Sequence, residues 1–445
     1  MSGRDRVFVL GGGVAGLVAA FGCADAGHAV TLLESRGWLG GRAFAAVDRA
    51  TGQRLDNGPH VMLGCYRAMR SLLQRLGTAD GFEQCAQLAM SYREHGGGVD
   101  RLQLSRWPVP IAMPWALLRL RLPFGARCRA FFGLLGTLLR AAPDRTLGDW
   151  LARWRQHGAP EARLWRPLCR AIMNVEPELA AAEDFLRTLR EAFLGSAARA
   201  AFWLPKRTWG ELVGDPAPAA LARAGVTLRT GARVVGLPRA GERLRAIELG
   251  SGELLPLGPG DRVVSALPWF ALAPLLGPAV QPAFGSLQAS PIVSAYVQLP
   301  SSAPAWPDDG PVTALVDGAP FHFVLRRPGG SAHQLALLSG GDRWFDGQPV
   351  AAIADRALQQ LRDYFPASDL RGAVVRIRKE SLATFIAAPG SAAVRPTPGR
   401  LPGGPSNLWV CGDWTAVGLP ATLEGAARSG EQVVAAMAAA ASGRP

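Results

Sequence analysis

The apolar, strand-favouring run Val7-Phe-Val-Leu10 leads into Gly11-Gly-Gly13-Val14-Ala15-Gly16, and the alanine-rich stretch beginning at Leu17 then reads as a helix. A second apolar run, Ala29 to Leu33, ends at Glu34, eighteen residues beyond Gly16. Strand, glycine turn, helix, strand and acid in that order predict a βαβ unit and place the chain in the doubly wound α/β class. Each glycine has a physical task. Gly11 permits the tight turn, Gly13 lets the backbone approach a pyrophosphate carried on the helix N-terminus, and Gly16 lets helix and strand pack closely. An acid at 34, with Ser35 beside it, suits ribose hydroxyls and repels a 2′-phosphate. The alternative is an ordinary glycine turn in a nucleotide-free βαβ unit.

Further motifs favour the nucleotide. Leu39-Gly40-Gly41-Arg42 follows Glu34 closely, and backbone N–H groups with a guanidinium can both face a diphosphate. Leu55-Asp56-Asn57-Gly58-Pro59-His60 comes next. Near the C-terminus, Leu408-Trp-Val-Cys-Gly412-Asp413-Trp-Thr415 and Gly418-Leu-Pro420-Ala-Thr422-Leu423-Glu424 read as a strand, a glycine-acid turn and a helix starting at about Thr422. Asp413 suits ribityl or ribose hydroxyls, and the helix N-terminus can set its positive end against a flavin pyrimidine edge.

Taken in order, these segments resemble the FAD-dependent amine oxidase and phytoene desaturase superfamily. Within it, Asp56-Asn-Gly-Pro-His-Val-Met-Leu-Gly-Cys-Tyr66, Leu164-Trp-Arg-Pro-Leu-Cys169 with Asn174, and the Gly412 to Ala426 segment look most like the squalene-associated flavoenzymes, the hydroxysqualene dehydroxylases. The resemblance implies a Rossmann-type FAD-binding domain interleaved with a mixed α+β substrate domain. It implies FAD contacts at the glycine turn with Val14 and Ala15, at Glu34 and Ser35, at Gly41 and Arg42, at Gly58, Pro59 and His60, at Gly412 and Asp413, and at Pro420, Thr422 and Leu423. It adds the backbone of Val234 against the adenine. Proline at 59, where many relatives carry glutamine, alters the polarity beside the flavin. The implied reaction is delivery of hydride from reduced flavin to the allylic carbon of hydroxysqualene as its hydroxyl leaves as water, giving squalene.

Such a reaction needs an acid for the hydroxyl and a dry, aromatic-rich wall. His60 is one candidate, since a histidine can donate a proton near neutral pH; its alternative is a backbone or flavin contact. Asn174, Glu176 and Glu178 follow an apparent helix and can enter a cavity, although solvated loop carboxylates are commoner. Tyr66 carries the same ambiguity.

Composition bounds the rest. The 445 residues allow two or three domains. Mean hydropathy is +0.11, yet no uncharged apolar run approaches the ~18 residues that a membrane span needs, and the N-terminus shows no secretion signal. Six cysteines, at 23, 65, 85, 128, 169 and 411, form no Cys-x-x-Cys pair and no metal-like spacing with the six histidines, so reduced thiols, no metal and a cytoplasmic setting are expected. Net charge is +13, and lysine occurs only at 206 and 379. The arginines are scattered and no nucleic-acid module interrupts the chain, which argues against nucleic acid. Between Trp107 and Arg140, aromatics, leucines and arginines mix in the manner of an interfacial segment facing an anionic membrane. The alternative is an amphipathic helical lid over an apolar tunnel.

Residues 1–85, 220–270 and 400–445 are assigned to the FAD-binding domain, 86–219 to a helical substrate or lid region, and 271–399 to a substrate-domain sheet. Ala435 to Pro445 reads as a frayed tail. Three functions remain open: the reductive dehydroxylase, an oxidising carotenoid-type desaturase or amine oxidase, and a non-catalytic prenyl-binding escort. The amine version is weakened because such oxidases set a lysine near the flavin, and only Lys206 or Lys379 is available. No nicotinamide motif identifies the electron donor.

Overall fold

A computed structural model describes residues 5–49, 52–140, 144–277, 283–304, 306–307, 310–326 and 333–442. Three separated parts of the chain build one sheet. The parallel strands Arg6–Leu10, Ala29–Leu33, Thr227–Arg229, Arg262–Ser265 and Leu408–Val410 join in the order 227, 29, 6, 262, 408, and Gly399–Arg400 closes the far edge antiparallel. Leu10 pairs with Leu33 on one side and Ser265 on the other, so the turn after Leu10 leaves the middle of the sheet at its carboxyl end, where open parallel sheets bind ligands. Residues 7–10, 263–264 and 408–410, in the middle of the sheet, are buried apolar runs, as strands covered on both faces require, whereas the edge strand Thr227–Arg229 is not buried.

The first helix, Val14–Asp25, crosses back over this sheet and packs against the last, Leu423–Ala441. Glycines set their close approach. A Cβ at Gly430 would lie 2.7 Å from the Ala15 carbonyl oxygen, and one at Gly22 would lie 2.9 Å from Val434. That contact corrects the expectation of a frayed tail from Ala435: the helix continues to Ala441 with Val433 and Met437 buried, because tertiary packing stabilises an alanine-rich helix that sequence position alone suggests is loose. Residues 443–445 of that expected tail lie outside the described residues.

A second, seven-stranded sheet stands beside the first, in the order Val374–Phe385, Ala289–Gln298, Gln334–Gly340, Phe323–Arg326, Val312–Leu315, Ala89–Arg93 and Val99–Gln103. Its pairings are antiparallel except between Val312–Leu315 and Ala89–Arg93. Alternation along Ala289–Gln298 decides which face does what. Val293, Ala295 and Val297 bury against the helix Val350–Tyr364 through Ile353, Ala357 and Leu361, whereas Ile292, Ser294 and Tyr296 look toward the segment after Asp56. The helices Val109–Arg119 and Phe124–Gly136 form an antiparallel hairpin at the surface.

The core around the parallel sheet also takes in Trp203, Trp209, Leu212, Val213 and Leu221. Phe202–Pro205 pairs with both Met62–Leu63 and Phe82–Gln84. The chain therefore returns to this core before residue 220.

Candidate functional site

The glycine turn is built as its sequence suggests. Gly11 has φ +100°, a Cβ at Gly16 would overlap the Gly11 carbonyl oxygen, and one at Gly12 would overlap Leu39. Gly13, the N-cap of the first helix, differs: its nearest neighbour would be Gly41 Cα at 3.7 Å, an ordinary contact. Protein packing therefore does not demand a glycine there, and the bare backbone leaves an open cradle at a helix N-terminus flanked by Gly40 and Gly41, bridged to it through Gly13 and Gly40. That is the shape a diphosphate fills. Val14 and Ala15 are buried in the first turn of the helix.

Glu34 is buried at the end of its strand. Its Oε2 accepts the Gly12 N–H at 2.8 Å, and its Oε1 accepts the Arg36 N–H at 2.8 Å and the Ser35 hydroxyl at 3.1 Å. A carboxylate accommodates more acceptor contacts than these, so ribose hydroxyls can still approach. The fit to a dinucleotide is good.

The N-terminal and C-terminal motifs meet. Arg42 Nη2 donates to Asp413 Oδ1 at 2.6 Å, with Asp413 nearly enclosed. The turn after Cys411 is held from three directions. Gly412, at φ +145°, donates its N–H to Ser429 Oγ at 2.8 Å; Trp414 Nε1 donates to the Leu267 carbonyl; and the buried Arg395 donates to the carbonyls of Trp414, Thr415 and Leu419. Arg395 is a site-building residue that sequence reading missed, for it lies in no motif. Thr422 is the N-cap of the last helix, its Oγ1 accepting the Gly425 N–H at 2.9 Å; Pro420 is buried just before it and Leu423 opens the first turn. Val234 lies in the three-stranded sheet with Ala246–Leu249 and Leu254–Pro256, two residues after Ala232, whose N–H donates to the Glu34 carbonyl at 2.8 Å.

A cavity of about 450 Å³ opens between the Gln53–Val61 segment, the strand Phe202–Pro205, and the face of the second sheet that carries Tyr296. Leu55, Pro59, Val61, Leu204, Leu325 and Ala336 supply apolar wall, and Arg54, Gln298, Gln334 and Arg376 supply polar groups. Asp56 and Glu211 are the carboxylates among its described lining residues. Asp56 Oδ1 accepts the Trp209 N–H at 2.7 Å and its carbonyl accepts the Tyr296 hydroxyl at 2.9 Å, tying the loop to both walls. Glu211 Oε2 accepts from the Thr208 N–H and hydroxyl. The Thr-x-x-Glu spacing of a capping box carried this pair in the sequence, and it went unread. Gly58 sits against Ile292 and Ser294, where a Cβ would find 3.8 Å to each.

His60 lines this cavity, edge-on to the Trp209 ring at 5.7 Å between centroids. Burial, with the Arg42 charge adding to it, pushes its pKa down to about 4, so the imidazole is neutral near pH 7. Its Nδ1 is enclosed with no hydrogen-bond partner among the described residues. A neutral ring of such low basicity holds no imidazolium proton to give at neutral pH, which favours the alternative of a backbone or flavin contact over an acid.

The four other candidates for the acid lie outside the cavity lining. Asn174 caps its helix at φ 56° and donates through Nδ2 to Ser290 Oγ, the Pro291 carbonyl and Thr384 Oγ1, at 3.2, 3.3 and 2.9 Å. Glu176 and Glu178 pair with Arg166, and Glu176 also with Arg170. None of the three lines the cavity; the amide and carboxylates bind neighbouring strands and arginines instead. Tyr66, the N-cap of Arg67–Leu76, packs on the core of the parallel sheet, and burial raises its phenol pKa. Neither lysine reaches the cavity: Lys206 is exposed, and Lys379 Nζ donates to the Phe345 carbonyl at 2.6 Å. Cys411 is fully buried and burial raises its pKa, as suits a packing residue. Among the described residues no group of His, Cys, Asp and Glu is arranged to hold a metal, and no helix is long and apolar enough to cross a membrane.

The chain is similar to the hydroxysqualene dehydroxylase of Sinorhizobium fredii, 28% identical over 433 residues that cover 96% of this chain and 97% of that one. It is also similar to a probable zeta-carotene desaturase of Synechococcus elongatus, 24% identical over 497 residues covering 97% and 98%. Among solved structures, cyclohexylamine oxidase of Brevibacterium oxydans superposes with a TM-score of 0.67 at 17% identity, covering 99% of this chain and all of that one. A family model described as flavin containing amine oxidoreductase matches residues 14–438. With the glycine cradle, the Arg42–Asp413 junction and the two-sheet frame, this chain belongs to the flavin containing amine oxidoreductase family and is an FAD-dependent oxidoreductase.

Proposed function

We propose that the protein removes the allylic hydroxyl of hydroxysqualene and replaces it with hydrogen, forming squalene. The observation that carries this reading is full-length similarity to a dehydroxylase, including the half of the chain that walls the cavity. Bound FAD, in its reduced form, supplies the hydride. One hydride and one proton enter, the C–O bond breaks, and water leaves.

The residues divide the rest of the work. Gly11, Gly13 and Gly16 with the first helix N-terminus hold the diphosphate, joined by Gly41 and Arg42; Glu34 and Ser35 hold the ribose side, and Val234 the adenine. Asp413, Pro420, Thr422 and Leu423 hold the flavin end, with Gly58, Pro59 and His60 closing over it. Leu55, Val61, Leu204 and Leu325 exclude water from an allylic cation. A neutral His60 suits that task, since an imidazolium would repel the developing positive charge. The lysine placement speaks against amine oxidation.

The test is anaerobic. Flavin-loaded protein, chemically reduced, is mixed with hydroxysqualene while flavin reoxidation and squalene are followed together. Stoichiometric squalene supports the proposal. Reoxidation without squalene, or no reoxidation, overturns it, and turnover of a phytoene-like polyene by the oxidised protein then establishes a desaturase.

A further inference from the structure

The hairpin Val109–Arg119 and Phe124–Gly136 is built inside out. The second helix turns Ala126, Ala130, Gly133 and Gly136 inward and its large side chains outward. The inward face has room for nothing larger: a Cβ at Gly133 would lie 2.5 Å from the Gln156 side chain, and one at Gly136 would lie 2.6 Å from the Trp154 ring. Outward stand Phe124, Phe131 and Leu135, spaced as one helical stripe, with Phe124 80% exposed. The first helix presents Ile111, Trp115 and Leu118 in the same way, and Trp115 and the preceding Trp107 are each 64% exposed. Soluble surfaces rarely carry contiguous apolar patches of this kind without a partner.

Charge selects the partner. From Arg101 to Arg140 the chain has seven arginines, no lysine and no carboxylate. Arg106, Arg119, Arg121 and Arg140 are exposed beside the apolar stripe. A second copy of the chain docking face to face would set these arginines against their own images, which costs free energy. Aromatics and leucines rimmed by guanidinium groups instead match the boundary between acyl chains and anionic headgroups. The patch has no helix able to span, so the contact is parallel to the surface.

We propose that this hairpin docks the protein on an anionic lipid bilayer, with Trp107, Trp115 and Phe124 seated among the acyl chains and the arginines on the headgroups. The inference does not depend on which reaction the cavity performs. Flavin-loaded full-length protein is sedimented with vesicles of phosphatidylcholine alone or of phosphatidylcholine with phosphatidylglycerol. It is expected to pellet with the anionic vesicles, to remain in solution with the neutral ones, and to bind more weakly at high salt. Combined Trp115→Ser, Phe124→Ser and Leu135→Ser should lower partitioning at least about tenfold with the flavin spectrum unchanged. Combined Arg119→Gln, Arg121→Gln and Arg140→Gln should remove the preference for anionic lipid. Wild-type protein left in the supernatant with anionic vesicles overturns the proposal. So does equal binding by both variants, or a dimer in solution that the apolar substitutions dissolve.

Discussion

His60 shows how one side chain's surroundings change its chemistry. Its ring is neutral because burial disfavours the charged form and Arg42 adds repulsion. As pH falls from the ordinary value of 6.5 toward about 4, the unfolded chain takes up a proton that the folded one refuses, so stability is lost across that window. Replacing His60 by Phe, which keeps the ring contact with Trp209, should flatten the stability profile between those limits. Denaturant midpoints measured at several pH values check this, and an unchanged acid slope would refute it. Glu34 is the second residue whose role can be isolated. Glu34→Arg should abolish retention of FAD by placing a cation where the carboxylate holds the Gly12 N–H, whereas Glu34→Gln, which keeps an acceptor oxygen, should retain part of it. Flavin absorbance after gel filtration reads the difference; a Glu34→Arg protein recovered with one flavin per chain would contradict the assignment.

Among elements, Asn174 fastens the end of Arg166–Met173 to two strands of the second sheet. Its amide reaches Ser290 and Thr384, and its own carbonyl accepts the Ser290 hydroxyl at 2.6 Å. Asn174→Ala removes the side-chain amide bonds, leaves the backbone carbonyl bonded to the Ser290 hydroxyl, and sets a β-carbon residue without a helpful side chain at a left-handed φ, so a loss of about 2–4 kcal/mol is expected. Thermal unfolding should reveal it, while the protein that remains folded and flavin-loaded should turn over at the wild-type kcat. A lowered kcat at unchanged Tm would instead return Asn174 to the chemistry.

At the scale of the whole molecule, chain segments that are distant in sequence are joined at the proposed cofactor site. Arg42 and Asp413 are 371 residues apart and meet at 2.6 Å. Asp413→Asn leaves the guanidinium without its charged partner and should weaken FAD binding by about tenfold or more, the equivalent of one charge-assisted hydrogen bond. Added FAD should raise the Tm of the wild-type apoprotein more than that of this variant at the same concentration. Equal shifts would show that the pair serves the fold and not the cofactor.

What was legible in the sequence was local. The βαβ opening, with Glu34 at the end of its second strand, and the helix starting at about Thr422 could be read because strand, glycine turn and helix follow one another closely along the chain. The mixture of aromatics, leucines and arginines from Trp107 to Arg140 is likewise visible in the sequence, but which of these side chains are exposed is not. The wall of the cavity was not legible. Tyr296, Glu211 and Arg376 converge from strands and turns that only the sheet registers bring together, and no spacing records that. Nor does sequence reveal burial, which makes His60 neutral, or the partners 116 and 210 residues away that turn Asn174 from a catalytic candidate into a fastening. Local periodicity and turn chemistry determine which elements form and where a dinucleotide can sit; desolvation and long-range hydrogen bonding depend on what lies opposite in space, and these only the tertiary structure decided.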